Sequence, residues 1–139
     1  MIQRVQTIWL FLASLCAFLS FKFPYYSGTL LENGTNNTFK VINATVNIPL
    51  IIVTTAVAVL ALITIFLYKN RKLQLRLCIA GILLEAGLIF LYYREIQKFT
   101  DGTYALWALL QACIVLFFFL AARGISNDDK IIKQSNRLR

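Results

Sequence analysis

Histidine is absent from this 139-residue chain. With it go the usual general base, the Ser-His and Cys-His nucleophile pairs, and His-ligated zinc or haem. Charge is scarce as well: only 14% of residues are charged, and 6 acids stand against 14 bases. The three cysteines, Cys16, Cys78 and Cys113, fall inside apolar runs without Cys-x-x-Cys spacing, so the one sizeable polar loop has no cysteine to staple it. They read as small apolar packing residues, not as a disulfide or a metal site. A Gly-rich phosphate loop, a His-Glu-x-x-His zinc signature and paired carboxylates in a polar loop are missing too. The chain is therefore read as a non-enzyme with no metal and no cofactor.

What the chain has in quantity is apolar surface, 59% hydrophobic residues in a length that allows one domain. A water-soluble fold of this size could not hide that surface. The net charge of +8 sits in short clusters that flank apolar runs instead of forming one broad face, which favours anionic lipid headgroups as the counter-charge and argues against nucleic acid.

Four runs have span character. Residues 48–68 carry no charge and are long enough, at about 1.5 Å per residue, to cross a hydrocarbon core of about 30 Å. Residues 104–122 are likewise uncharged, and residues 77–93 contain a single acid, Glu85. The first run, residues 5–23, ends near Lys22, whose long stem can return its ammonium to the headgroups. A signal peptide is the other reading of that run. No small-x-small cleavage site follows it, and Leu15 before Cys16 does not suit a lipoprotein signal, so it is kept as an uncleaved helix. The expected fold is an all-α integral membrane protein, four transmembrane helices in a compact bundle with a short amphipathic C-terminal cytoplasmic helix.

Four spans put both termini on one side. Arg4, Lys69, Arg71, Lys72, Arg76, Arg123, Lys130, Lys133, Arg137 and Arg139 would share it, against Lys22, Lys40, Arg94 and Lys98 opposite. That bias of bases places the termini and residues 69–76 in the cytoplasm. Tyrosines at the span ends, such as Tyr25, Tyr68, Tyr93 and Tyr104, suit the interface.

Residues 24–47 change to Ser, Gly, Asn and Thr. Asn33-Gly34 offers a tight turn, and residues 39–42 alternate like a short strand, consistent with a small extracytoplasmic hairpin. Three Asn-x-Thr triplets begin at Asn33, Asn36 and Asn43. They are glycan acceptors in a secretory pathway, and chance products of an Asn- and Thr-rich loop otherwise. After residue 122 a turn at Arg123-Gly124 is expected, then a tail helix in residues 123–139 capped by Asn127 or Asp128. Its Lys130, Lys133 and Arg137 fall on one face and Ile131, Ile132, Ser135 and Leu138 on another. The tail is either a basic topology device or a helix that lies on the anionic leaflet or docks on a protein partner.

Glu85 at the centre of its span is the one residue with a chemical reading. A charge there costs roughly 2.5–3.5 kcal/mol on insertion scales, so it must be protonated, paired or hydrated. By depth, Gln111 on the fourth helix is the expected hydrogen-bond partner. Thr54, Thr55 and Thr64 are further donors, and Gly81 would let a neighbouring helix approach. The functional reading is a proton- or cation-coupled transport site; the structural one is interhelical glue. A transporter this small would need to dimerise, and homo-oligomerisation is compatible with the sequence.

Three stretches carry a family resemblance: Met1-Ile2-Gln3-Arg4-Val5-Gln6-Thr7-Ile8, Asn70-Arg71-Lys72-Leu73-Gln74-Leu75-Arg76-Leu77-Cys78, and the end from Arg123-Gly124-Ile125 through Asp128-Asp129-Lys130 to Arg137-Leu138-Arg139. In order and over the whole chain, they resemble a bacterial family of four-span membrane proteins known as domain of unknown function 4293. The resemblance implies the bacterial inner membrane, with the triplets unused, and supplies no activity. Because the motifs cluster at the cytoplasmic ends, the leading expectation is a structural, adaptor or assembly subunit. It would present Arg71, Lys72, Arg76, Lys130, Lys133, Arg137 and Arg139 to a partner.

Overall fold

The computed structural model describes residues 3–32 and 36–137, and side-chain surroundings for residues 5–30 and 38–135. Helix α1 spans Gln3–Leu19 and ends in tight turns through Phe23; strands β1 (Tyr26–Glu32) and β2 (Asn36–Ile42) follow. Helices α2 (Ile48–Phe66) and α3 (Arg71–Ile96), strand β3 (Asp101–Tyr104), a 3-10 turn at Leu106–Ala108 and α4 (Leu109–Arg137) complete the chain.

The helices form a ring in which α1 packs on α2 and α4, and α3 packs on the same two. Burial explains the arrangement. On α3 the buried residues Gln74, Cys78, Gly81, Glu85, Leu88 and Tyr92 alternate in steps of four and three, and Gln111, Ile114, Phe118, Ala121, Ile125 and Asp128 do the same on α4. That is the stripe by which helices wrap at shallow left-handed angles. The seam is small or polar at many of these positions, while bulky residues such as Phe11, Ile52, Phe66, Leu83, Phe90 and Phe119 face outward. A soluble bundle reverses this distribution; helices that pack within lipid favour it.

Three helices, Ile48–Phe66, Arg71–Ile96 and Leu106–Ser135, are long and apolar enough to cross a membrane. Helix α1 is apolar but shorter, at 17 residues, than the run 5–23 suggested. The turns at its end return the chain toward Ile42, whose carbonyl accepts from the Tyr25 amide at 2.7 Å.

The all-α expectation needs correction at the other end of the bundle, where a three-stranded antiparallel sheet has the order β2-β1-β3. The β1–β2 pairing extends the expected hairpin well beyond residues 39–42, while its Asn33-Gly34 turn lies outside the described residues. The third strand comes from the α3–α4 connection. It pairs with β1 through a close approach at Gly28↔Gly102, where a Cβ on Gly102 would meet the Tyr26 ring at 2.6 Å. Tyr25 stacks on Tyr92 at 4.2 Å and Tyr26 meets Phe99 edge-on at 5.5 Å, so aromatic contact seats the sheet on the helices.

Two further expectations fail. The basic segment 69–76 is a loop only as far as Asn70; Arg71, Lys72 and Arg76 stand on the first turns of α3. Nor does the chain turn at Arg123-Gly124 and begin a separate capped tail helix, since α4 runs unbroken to Arg137. Glycine disfavours a helix interior by about 1 kcal/mol. Here the missing side chain admits α1: a Cβ on Gly124 would lie 2.9 Å from Gln6 Cγ. Close helix contact outweighs the local preference.

Candidate functional site

The polar residues of the seam gather at two levels. Near the end that carries Lys69 and Arg71 (the basic end), Gln6 Nε2 donates to Asp128 Oδ2, and Gln74 Nε2 donates to the Thr64 carbonyl at 3.2 Å. Thr64 in turn donates its hydroxyl to Leu60 O at 2.6 Å. This level is paired across α1–α4 and α2–α3. Asp128, expected as a helix cap, is instead a buried interhelical acceptor.

The second level lies nearer the sheet. From the Gln74–Thr64 contact, eleven residues along α3 and ten back along the antiparallel α2 bring Glu85 level with Thr54. Gly81 abuts the Phe118 ring of α4, so Glu85 one turn on faces Ile114, and Gln111 lies about a turn further. Thr54 is 2%, Glu85 1% and Gln111 3% exposed, so water does not reach these atoms from the surface. The expected Glu85–Gln111 hydrogen bond is not made. Gln111 Nε2 donates instead to Ser20 Oγ, in the turn that ends α1, at 3.0 Å, and Ser20 donates to Cys16 O. Thr55, another expected donor, turns outward and bonds Ile51 O at 2.7 Å. Both Glu85 carboxyl oxygens, Thr54 Oγ1 and Gln111 Oε1 are left without a partner.

The apolar core is divided there. One cluster, with Leu10, Val57, Cys78, Ile114 and Phe118, fills the bundle toward the basic end; a second, with Leu50, Leu88, Tyr92, Tyr26 and Ile42, fills it toward the sheet. The unpaired level falls between them. Burial raises the Tyr25 phenol above its ordinary range, and neighbouring Tyr104 and Glu85 add to the effect.

At the basic end an open cavity of about 440 Å³ is lined by Lys69, Asn70, Arg71, Lys72, Leu73, Arg76 and Asp129. The α2–α3 connection and the α4 extension, separate features in sequence, thus form one surface. Asn70 makes no side-chain cap, and no acid occupies the first turn of α3, so the free N–H groups of that turn add to the positive field. Arg71 Nη1 is buried without a partner. Lys133 bonds Asp129 at 2.6 Å, and this hydrogen bond holds the Asp129 carboxyl below the usual range, helped by the charges of Lys133, Lys72 and Arg71. Lys130 is exposed and stands outside the cavity lining. The Arg137 side chain and Arg139 lie outside the described residues.

Sequence reasoning missed Gln6, Ser20, Gln74 and Asp128 as seam residues. Their signal was the heptad-like spacing of polar residues among apolar ones, as in Gln74 to Glu85 and Gln111 to Asp128.

Helices of membrane-crossing length with a polar seam and outward apolar residues are compatible with a membrane protein. The family described as Domain of unknown function (DUF4293) matches residues 2–138, and the chain belongs to that family. Neither the comparison with curated proteins nor that with solved structures gives a match.

Proposed function

We propose that this chain is a small non-enzymatic adaptor or assembly subunit of the bacterial inner membrane, which it crosses four times with both termini in the cytoplasm. The observation that carries the reading is the basic concavity built from Lys69, Arg71, Lys72 and Arg76 together with Asp129 of the α4 extension. A surface composed by two distant segments, with an uncapped helix start and an unpaired guanidinium, suits an anionic partner, either an acidic protein segment or lipid headgroups. Helix α1 counts as the fourth span because it packs on α2 and α4, and its outward Ile8, Phe11 and Phe18 suit lipid. The bias of basic residues toward this end supports the orientation.

The test is a crosslinked pull-down from native membranes with Arg71→Glu, Lys72→Glu and Arg76→Glu combined, which leaves the Gln6–Asp128 contact untouched. A defined set of proteins should be lost while insertion is retained. Recovery of the same set by the variant overturns the reading. Truncation after Lys130 should weaken the association less, because Lys69, Arg71, Lys72 and Arg76 remain.

A second reading, a small proton- or cation-coupled transporter, is supported by a different observation, the unpaired buried carboxyl of Glu85. Glu85→Gln should then abolish pH-dependent flux in vesicles while the protein stays folded, and flux like that of the unaltered chain rules transport out.

A further inference from the structure

The two polar levels of the seam differ in a way that points to a ligand. At the basic end each carboxylate or amide has found a protein partner across the helix contact. At the sheet-side level three helices contribute buried oxygen atoms and no donor meets them: the carboxyl oxygens of Glu85 on α3, the hydroxyl oxygen of Thr54 on α2 and the amide oxygen of Gln111 on α4. All four atoms are acceptors or can act as such. Buried acceptors are ordinarily matched by a donor or a cation.

Among the described residues, no positive charge meets them. Helix α2 holds no titratable side chain, and none of the spans α1 from residue 5, α3 over residues 77–93 and α4 over residues 109–122 contains a Lys or Arg. The titratable groups beside Glu85 are the Tyr92 phenol on its own helix and the Tyr25 phenol from the segment after α1; α1 and α4 add only the thiols of Cys16 and Cys113, and none of these groups can carry a positive charge. A compensating charge has to come from solution.

We infer that Glu85, Thr54 and Gln111 form an oxygen-lined site between the two apolar clusters that binds one exchangeable positive charge, a proton or a small hard alkali cation such as sodium. Glu85 supplies the negative charge. Thr54 and Gln111 supply the neutral oxygens that a hard cation takes in preference to nitrogen or sulfur. The Ser20 hydroxyl fixes the Gln111 amide, because its acceptance of Nε2–H turns Oε1 the other way. The site deepens the transporter reading without depending on it: a protein with no flux can still exchange the charge, so the binding test and the flux test fail separately.

A hydrophobic carbodiimide reacts with a protonated carboxyl, whose proton passes to a carbodiimide nitrogen while its oxygen adds to the central carbon, so labelling of Glu85, followed by mass spectrometry on the full chain in nanodiscs, reads occupancy directly. Labelling should fall about tenfold for each unit by which pH exceeds the midpoint of the titration. If sodium chloride at constant pH also suppresses labelling, and Thr54→Val or Gln111→Leu weakens that suppression about tenfold, the charge is an alkali cation. If pH alone controls labelling, it is a proton. Glu85→Gln should abolish the label, and the two neighbouring variants keep the assay informative should that one fail to fold. Labelling unchanged from about pH 5 to about pH 10 and indifferent to salt identifies a permanently protonated structural acid and overturns the inference. So does a Glu85 that is labelled only after denaturation in dodecyl sulfate.

Discussion

Gln6, in the second turn of α1, donates its side-chain amide to the carboxylate of Asp128 far along α4, and both groups are buried. This contact holds the C-terminal extension of α4 against the first helix and keeps it continuous with the bundle.

Loss of one member should therefore hurt more than loss of both. Asp128→Ala leaves the Gln6 amide buried and unpaired, a cost of about 1–3 kcal/mol. The double change Gln6→Leu with Asp128→Leu should be close to neutral, because neither polar group remains to be satisfied. Hydrogen exchange over residues 123–137 is the measurement. Faster exchange in the single variant and near-normal exchange in the double is expected; equal effects would mean that the contact does not hold the extension.

Gly81 and Phe118 set the spacing of α3 and α4, because a Cβ at position 81 would come within 2.7 Å of a fully buried ring. Gly81→Ala should destabilise the protein by about 1–3 kcal/mol through overpacking. Adding Phe118→Leu should recover part of the loss. Thermal unfolding in detergent reads both, and a tolerated Gly81→Ala with no benefit from the second change would refute the packing account.

Asp129 gives a pH dependence with a definite sign. Its folded value lies below the ordinary carboxylate value, first through the Lys133 hydrogen bond, so the contact contributes above the unfolded value and is lost as pH falls through the folded one. The group is solvated, and the effect belongs to the last turns of α4, not to global stability. A carboxyl-carbon NMR titration should place the Asp129 midpoint below that of an ordinary aspartate, and Lys133→Met should raise it. A midpoint unmoved by that substitution would remove Lys133 as the cause.

The legible part of the fold was whatever follows from solvent preference along the chain. The run 48–68 read as helical because an uncharged stretch of that length leaves its backbone groups no partners but one another in a bilayer, and the helix there is Ile48–Phe66. The strand β3 was invisible for the opposite reason: Asp101–Tyr104 is four exposed residues, and its pairing depends on Gly28, distant in sequence, accepting the close approach of Gly102. The site was half legible. Glu85 stood out as an acid among apolar residues, but a polar residue's partner depends on helix rotation, which depth does not specify; Gln111 turned to Ser20 instead.

The sequence by itself determined that apolar helices dominate, that basic residues collect at one end, and that the family is DUF4293. Each of these is a property of the local chain or its order, indifferent to which helix faces which. Only the tertiary structure decided that the α4 extension is part of the bundle, that its Asp129 joins the basic residues 69–76 in one cavity, and that Glu85 shares its level with Thr54 and lacks a donor. Such relationships arise from the rotation and register of packed helices, which are set by small residues such as Gly81 and Gly124 at contacts between segments remote in sequence.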